Sequence, residues 1–395
     1  MALPKILLLT EAVLSEESVG ASRTLLNLLK EYPAENILLY SPTDSFKTHR
    51  YLPPFNQRNA FFNFYFLRPV RNRLGWMLNP MIKLLNFLWM EGQPIRLNKE
   101  IKKFEPDILL SVPLFPETMI ITRRVIHKYR LPAYLYLMDD WITENNDNWI
   151  FNSLKKTSKE VLRGTDWLMI SPSLRDRFID YFSIPSPRCM IVHNPVEVKE
   201  FAPPVQKTSY TLAYAGSIWA MHKDALQSVS RAVKELTKRG MDVSLKLYCT
   251  ENFYLEERNF WEENATIWGG LVPYTQLNEV LQEADLLVVT TAFDLSVAHL
   301  VRTSVLTKTT DYMNTGRAML SVGPSYSATN RFVREYGVGY VLDSNELNKM
   351  TEKIGAILLD EKGRQEQAYH AWKVLKEQFS ANVITQQLAA FLSHA

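Results

Sequence analysis

Apolar residues along this chain come in two rhythms. Unbroken apolar runs at 5–10, 36–40, 107–112, 133–138, 167–171 and 190–192 are strand-length and do not alternate with polar positions. That is the signature of strands buried on both faces. Longer amphipathic stretches lie between them, such as 22–30 with Leu25, Leu26, Leu28 and Leu29. A parallel sheet covered by helices follows. The rhythm pauses over 194–210, which is polar and holds three prolines. It then resumes, with strands at 211–215, 243–249, 266–268, 286–290 and 318–322 and helices at 224–239, 309–314, 346–359, 363–379 and 381–393. The chain therefore reads as an N-terminal α/β domain over 1–195, a linker over 196–208 and a C-terminal α/β domain over 209–375. The helical stretch 376–395 is expected to pack back toward the N-terminal domain. Two doubly wound parallel sheets facing each other across a cleft are the predicted fold class.

In such sheets ligands bind beyond the carboxyl ends of the strands, so functional side chains belong on the loops that follow them. Four loops carry suitable chemistry. Gly20, among small residues between the first strand and first helix, lets backbone approach a ligand; an ordinary βα turn reads the same way. Asp139 and Asp140 end the 133–138 strand and suit a hydroxyl-binding or base role, or a helix cap. Gly216 and Ser217 end the 211–215 strand, and Lys223 stands where the next helix begins, placed to neutralise a phosphate or simply solvated. The last loop runs 302–320. Arg302, Lys308 and Thr309 precede or open a short helix and suit a pyrophosphate, while Asp311 suits two ribose hydroxyls. A capped helix explains the threonines and Gly316 but not Arg, Lys and Asp together. The P-loop spacing is absent.

Composition narrows the class. Apolar residues at 46% and charged residues at 22% exclude a disordered chain, and 14 glycines and 20 prolines exclude collagen. Cys189 and Cys249 are too few for a disulfide framework or a four-thiolate zinc site, and read as buried thiols in a reducing compartment. No apolar run reaches membrane-spanning length, and the N-terminus lacks the basic start and cleavage site of a signal peptide, so a cytoplasmic protein is expected. A net charge of +3 does not suggest nucleic acid, yet its distribution is uneven. Residues 47–103 hold eleven basic side chains against Glu91 and Glu100, and the rest of the chain is net acidic. The same segment is aromatic, with Phe61, Phe62, Phe64, Tyr65, Phe66, Trp76, Phe87 and Trp89. Cations beside exposed aromatics suit an anionic membrane surface; aromatics turned into a core are the plainer reading.

Several motifs together carry a resemblance. Val192-His193-Asn194-Pro195-Val196, Tyr214-Ala215-Gly216-Ser217, Trp268-Gly269-Gly270, Glu283-Ala284-Asp285-Leu286 and the run from Thr307 to Arg317 resemble, in order, the group-one (family 4) retaining glycosyltransferases of the GT-B fold. The likeness spans about 4–390 and is strongest over 191–324. It implies two Rossmann-like domains, a nucleotide-diphosphate sugar held mainly by the C-terminal one, and a glycan or lipid-linked acceptor held by the N-terminal one. It also implies no cofactor and no metal. Carried over by position, Gly20 lies over the donor phosphates, Lys223 is the phosphate lysine, Lys308 and Thr309 flank the diphosphate, Asp311 holds the ribose and Gly270 borders the base.

The pattern departs in four places. The paired glycines of the first loop are Val19-Gly20, the Gly-Arg pair is Gly216-Ser217, the first glutamate of the acidic pair falls on Thr303, and Met138 or Asp139 stands for the family's N-domain histidine. The mechanism implied is stabilisation of the departing diphosphate by Lys223, Arg302, Lys308 and helix amides, with Asp139 or Asp140 orienting the acceptor hydroxyl. Two alternatives stand beside transfer: a non-catalytic glycan-assembly partner that kept the fold, and a nucleotide-sugar epimerase.

Overall fold

A computed structural model describes residues 3–68, 70, 74–93, 97–143, 149–203 and 209–393. Among these the chain forms two compact units. The first comprises Met1–Val192 together with Thr385–Ala395, and the second His193–Ile384. Each is built on a wholly parallel sheet.

The sheet of the first unit contains β1 (Ile6–Thr10), β2 (Ile37–Pro42), β3 (Asn59–Phe62), β4 (Ile108–Val112), β5 (Ala133–Leu137), β6 (Asp166–Met169) and β7 (Cys189–Ile191). They lie in the order β3-β2-β1-β4-β5-β6-β7. β1, β2 and β4 are buried at every position, as their unbroken apolar runs require. Register follows the apolar runs, with Leu8 opposite Leu39 on one side and Leu110 on the other. β3 is an edge strand that the pattern reading did not place. It lies inside the basic aromatic segment, where Phe62 is fully buried against Tyr40, ring centroids 5.0 Å apart.

The helix Gly75–Gly92 follows. Its apolar sequence is interrupted by polar residues that fasten the preceding segment. Asn79 accepts from the Val70 amide (2.8 Å) and donates to its carbonyl. Asn86 accepts from the amides of Phe66 and Leu67 (2.8 and 3.0 Å) and donates to the Leu67 carbonyl. Trp89 donates its indole N–H to the Asn63 carbonyl. No helix among the described residues is long and apolar enough to cross a membrane. Arg71, Arg73, Arg96 and the side chain of Trp76 lie outside the described residues.

The second unit repeats the plan with β8 (Tyr210–Ala215), β9 (Val243–Tyr248), β10 (Thr266–Trp268), β11 (Leu286–Thr290), β12 (Ala318–Val322) and β13 (Tyr340–Leu342), in the order β10-β9-β8-β11-β12-β13. One face is covered by helices Lys223–Lys238 and Leu347–Leu359 through residues such as Leu226, Val233 and Ile354. The other carries Tyr312, Phe332 and Leu375. The helix Ala328–Tyr336 and β13 are additions to the sequence reading. The helix has a clear local cause: Ser327 Oγ accepts from the Asn330 amide, and Gly337 ends it at φ +64.

Of the expected linker, 204–208 lies outside the described residues. Residues 196–203 are fastened to the second unit: Lys199 accepts at its carbonyl from Trp372 and donates its amide to Asn314, and Ala202 accepts from Arg317. Cys249 is buried and Cys189 half-buried, and burial pushes both thiols up to about 11.

The final helix, Ala381–Leu392, runs into the first unit. Arg188 is its clasp. The guanidinium stacks 4.2 Å from the Phe391 ring centroid, donates to the Phe391 carbonyl, and pairs with Asp166 at 2.9 Å. Tyr134 donates to the Leu392 carbonyl at 3.2 Å. Replacing Arg188 with alanine removes the clasp and leaves Phe391 with less cover. We expect a loss of about 1–3 kcal/mol in urea denaturation, with faster amide exchange over 385–393.

Candidate functional site

In a doubly wound sheet the strand order reverses at one point, and a crevice opens there beyond the carboxyl ends. In the second unit that point lies between β8 and β11. β8 ends in Tyr214-Ala215-Gly216-Ser217. Gly216 sits at φ +127, a conformation side chains rarely adopt, and a Cβ there would come 3.1 Å from Lys308 Nζ. The turn thus favours glycine, and a side chain there would also crowd the lysine above it.

Lys308 opens the short helix Lys308–Met313 and is half-buried. Its Nζ donates to the Tyr214 hydroxyl at 2.7 Å and lies 3.9 Å from the centroid of that ring. Tyr214 is fully buried and donates in turn to the Ser217 carbonyl at 2.6 Å. Burial lowers the Lys308 ammonium to about 7, with the Asp311 charge pulling it back up. Nearby, His222 donates from Nδ1 to the Thr290 carbonyl at the end of β11 (2.9 Å). Burial, with the Lys308 charge in second place, pulls it down to about 3, so its imidazole is neutral at pH 7. Tyr312 accepts from the Ala215 amide at 2.8 Å and fixes the short helix to the end of β8.

Asp311 is half-buried and accepts from the Tyr274 hydroxyl (2.8 Å) and from Asn194 Nδ2 (3.3 Å). The carboxylate is therefore held in position by two neutral donors. Thr309 is fully buried, and its hydroxyl has no hydrogen-bond partner among the described residues. Gly216, Ser217, Lys308 and Asp311 thus gather around Tyr214 and Tyr312. Lys223 and Arg302 hold other partners. Lys223 Nζ is paired with Glu257, and the Arg302 guanidinium lies 4.0 Å from the Tyr326 ring centroid. Thr303, where the resemblance has a glutamate, is buried and donates back to the His299 carbonyl. Gly270 follows β10 in an open stretch. Beside it the partly exposed Trp268 stacks on Tyr254, 6.0 Å apart and 23° from parallel.

The reversal in the first unit lies between β1 and β4. Glu11 stands at its carboxyl end, one residue past β1. Oε1 accepts from the amides of Leu114 and Phe115 (2.9 and 2.7 Å) and from the Thr118 hydroxyl (2.8 Å). Oε2 is buried with no partner among the described residues. Burial pushes the carboxyl up to about 7 against the lowering effect of those three hydrogen bonds and of its own backbone amide. Sequence reasoning missed Glu11, Tyr214 and His222 as site residues. Each gains its role from contacts distant in sequence; the signals were the position of Glu11 just after a strand and the place of Tyr214 in the Tyr214-Ala215-Gly216-Ser217 motif.

The loop 11–20 is held by Arg23, which donates to the carbonyls of Ser18 and Glu16. Gly20, at φ +55, starts the helix Gly20–Leu29, with nothing within 4 Å of where a Cβ would stand. Asp139 is exposed beyond β5. Asp140 is fully buried; its carboxylate accepts from the Thr143 amide and hydroxyl and lies 3.8 Å from Arg177 Nε. Among the described residues no three histidine, cysteine, aspartate or glutamate side chains group as metal ligands do.

No family model matches this chain, and no curated protein does. Solved structures do. The HepE protein of Anabaena, solved with UDP, is 13% identical with a TM-score of 0.69, over 99% of this chain and 100% of that one. A sucrose-phosphate synthase from Thermosynechococcus elongatus is 10% identical with a TM-score of 0.72, over 99% and 98%. The lipopolysaccharide outer core galactosyltransferase WaaB is 14% identical with a TM-score of 0.63, over 98% and 99%. The chain has the two-sheet architecture of the GT-B glycosyltransferases.

Glu11 gives a pH test. An acid whose carboxyl rises from 4.5 unfolded to about 7 folded penalises the folded state once ionised. The penalty is absent below pH 4.5, grows through pH 7 and is complete above it. Glu11→Gln should remove this slope. Between pH 5 and pH 8 its stability should gain on the wild type by up to about 3 kcal/mol, read by urea denaturation at both pH values.

Proposed function

We propose that this protein is a retaining glycosyltransferase that moves a sugar from a nucleotide-diphosphate donor to a glycan or lipid-linked acceptor. The observation that carries this reading is the Gly216–Tyr214–Lys308 cluster at the strand-order reversal of the second sheet. A lysine kept half out of water, with no carboxylate among the described residues hydrogen-bonded to it, gains from an arriving diphosphate. The solved HepE complexes with UDP and with UDP-glucose support a nucleotide-sugar donor.

In this reading Lys308 binds the diphosphate and stabilises the negative charge that grows on it as the sugar departs. Gly216 and Ser217 let the phosphates approach the backbone, and Thr309 lies under them. Asp311, positioned by Tyr274 and Asn194, takes the ribose hydroxyls. Gly270 and Trp268 border the base. Lys223 and Arg302 join the phosphates by exchanging Glu257 and Tyr326 for donor oxygens. Asp139, exposed where Asp140 is not, is the better placed of the pair to orient an acceptor hydroxyl, and Asp140 holds the turn beneath it. No metal or other cofactor is needed for these steps. The reaction would take place in the cytoplasm, at the inner face of a membrane that presents the acceptor.

A second reading has a specific observation in its favour. Thr303 offers no carboxylate to position the sugar, and Lys223 is engaged by Glu257. A partner that binds a nucleotide sugar without transferring it fits those two facts.

Calorimetric titration with UDP and the other nucleoside diphosphates tests the binding step. Binding should hold Lys308 protonated, so affinity is highest below pH 7 and falls above it, approaching tenfold per pH unit. Lys308→Met should weaken binding about 30-fold or more and keep only the pH dependence of the diphosphate itself. Unchanged affinity in that variant rejects the site. Slow hydrolysis of one nucleotide sugar from a panel, with the anomeric product followed by NMR, supports transfer with retention. Tight binding without hydrolysis or transfer favours the second reading.

A further inference from the structure

Helix Gly75–Gly92 is apolar on two opposite sides. One side is the buried one, with apolar Ile82 and Met90 at eight-residue spacing and the clamping Asn86 midway between them. The other carries Leu74, Met77, Met81, Leu84 and Leu88, at spacings of three, four, three and four. That is a single straight stripe, and these side chains are between 42% and 58% exposed. At 1.5 Å per residue the helix is about 27 Å long. Beside it, Tyr65, Phe66 and Leu67 are also 42% or more exposed. They are not loose: Asn86 clamps the amides of Phe66 and Leu67, and Phe66 packs on Trp89 with ring centroids 5.2 Å apart. The molecule therefore presents a rigid apolar surface with aromatic residues along it.

Charge identifies what covers it. Of the eleven basic residues in 47–103, Lys47, Arg50, Lys83, Lys99, Lys102 and Lys103 are exposed. The two acids of the segment do not offset them. Glu91 is engaged by Arg123 and Arg124, and Glu100 is half-buried. Just outside it, Asp44 faces Arg68 at 3.8 Å. A second copy on this surface would set two such basic segments against each other. An anionic bilayer instead matches both properties, taking the apolar stripe into its interface and the cations onto its headgroups.

We infer that the helix Gly75–Gly92 and the segment 65–67 form a docking surface for an anionic lipid membrane, with the helix lying in the plane of the interface. The inference concerns a partner of the first unit and stands whether or not the second unit binds a nucleotide sugar.

The test is vesicle flotation of the full chain with phosphatidylcholine alone and with an equimolar mixture of phosphatidylcholine and phosphatidylserine. Recovery with the anionic vesicles should exceed that with neutral ones by tenfold or more, and should fall as salt is raised. Met81→Glu with Leu84→Glu should lower the anionic partition about 100-fold, roughly tenfold for each apolar side chain withheld. Both residues are exposed, so melting temperature and nucleotide titration on the same sample should match the wild type. If the glutamates lower the melting temperature, Met81→Gln with Leu84→Gln serves instead and should still cut the partition tenfold or more. Equal recovery on the two vesicle types, recovery unaffected by the substitutions, or a dimer in sedimentation velocity that the substitutions dissolve would each overturn the proposal.

Discussion

An ammonium group withdrawn from water governs the second half of this molecule. Lys308 is held by one phenol hydroxyl and the face of the same ring. Neither contact replaces the hydration that a buried cation loses. The surroundings follow from accommodating it. Tyr214 must present its hydroxyl, so that hydroxyl is fixed by the Ser217 carbonyl. The position under the ammonium is Gly216, whose φ of +127 suits glycine and where a side chain would crowd the lysine. His222 must stay neutral, and its burial ensures it. The short helix bearing Lys308 must not drift, and Tyr312 fastens it to Ala215. An anion reaching this place would relieve a cost that the unliganded protein carries.

The two sheets treat their reversal points in a parallel way with opposite chemistry. In the first, burial raises a carboxyl, Glu11; in the second it lowers an ammonium, Lys308. Both shifts come mainly from desolvation rather than from an opposing charge, and both bring a group that would be fully ionised in water to the edge of neutrality near pH 7. The fully buried Asp140 carboxylate accepts from the Thr143 amide and hydroxyl, and Arg177, 3.8 Å from it, donates to that same hydroxyl, as suits a residue that holds a turn.

Most of the architecture was legible because the strands are covered on both faces and so appear as uninterrupted apolar runs. Thr266–Trp268, Leu286–Thr290 and Ala318–Val322 were bounded to the residue. The omissions have physical causes. Asn59–Phe62 is an edge strand of four residues in an aromatic stretch that obeys no period, and Tyr340–Leu342 is shorter still. Helix Ala328–Tyr336 was written both in its caps, Ser327 and Gly337, and in a short stripe of Ala328, Phe332, Val333 and Tyr336, but it is only nine residues long. At the site, glycines and cations after strands could be found by position. What each cation touches could not, because Lys223 meets Glu257 and Arg302 meets Tyr326 only once separate segments fold together. The role of Glu11 was hidden for the same reason, its three donors lying more than a hundred residues away.

The final helix carries a consequence for how the protein is made. The first unit needs Thr385–Ala395, where Phe391 sits under Arg188 and Leu392 meets Tyr134, yet all of His193–Ile384 is synthesised before those residues emerge. A ribosome making this chain therefore delivers the whole second unit while the first still lacks its last piece. The half begun earliest is the half completed last, and during that interval the ring of Tyr134 and the guanidinium of Arg188 are left for a chaperone, or for solvent, to cover.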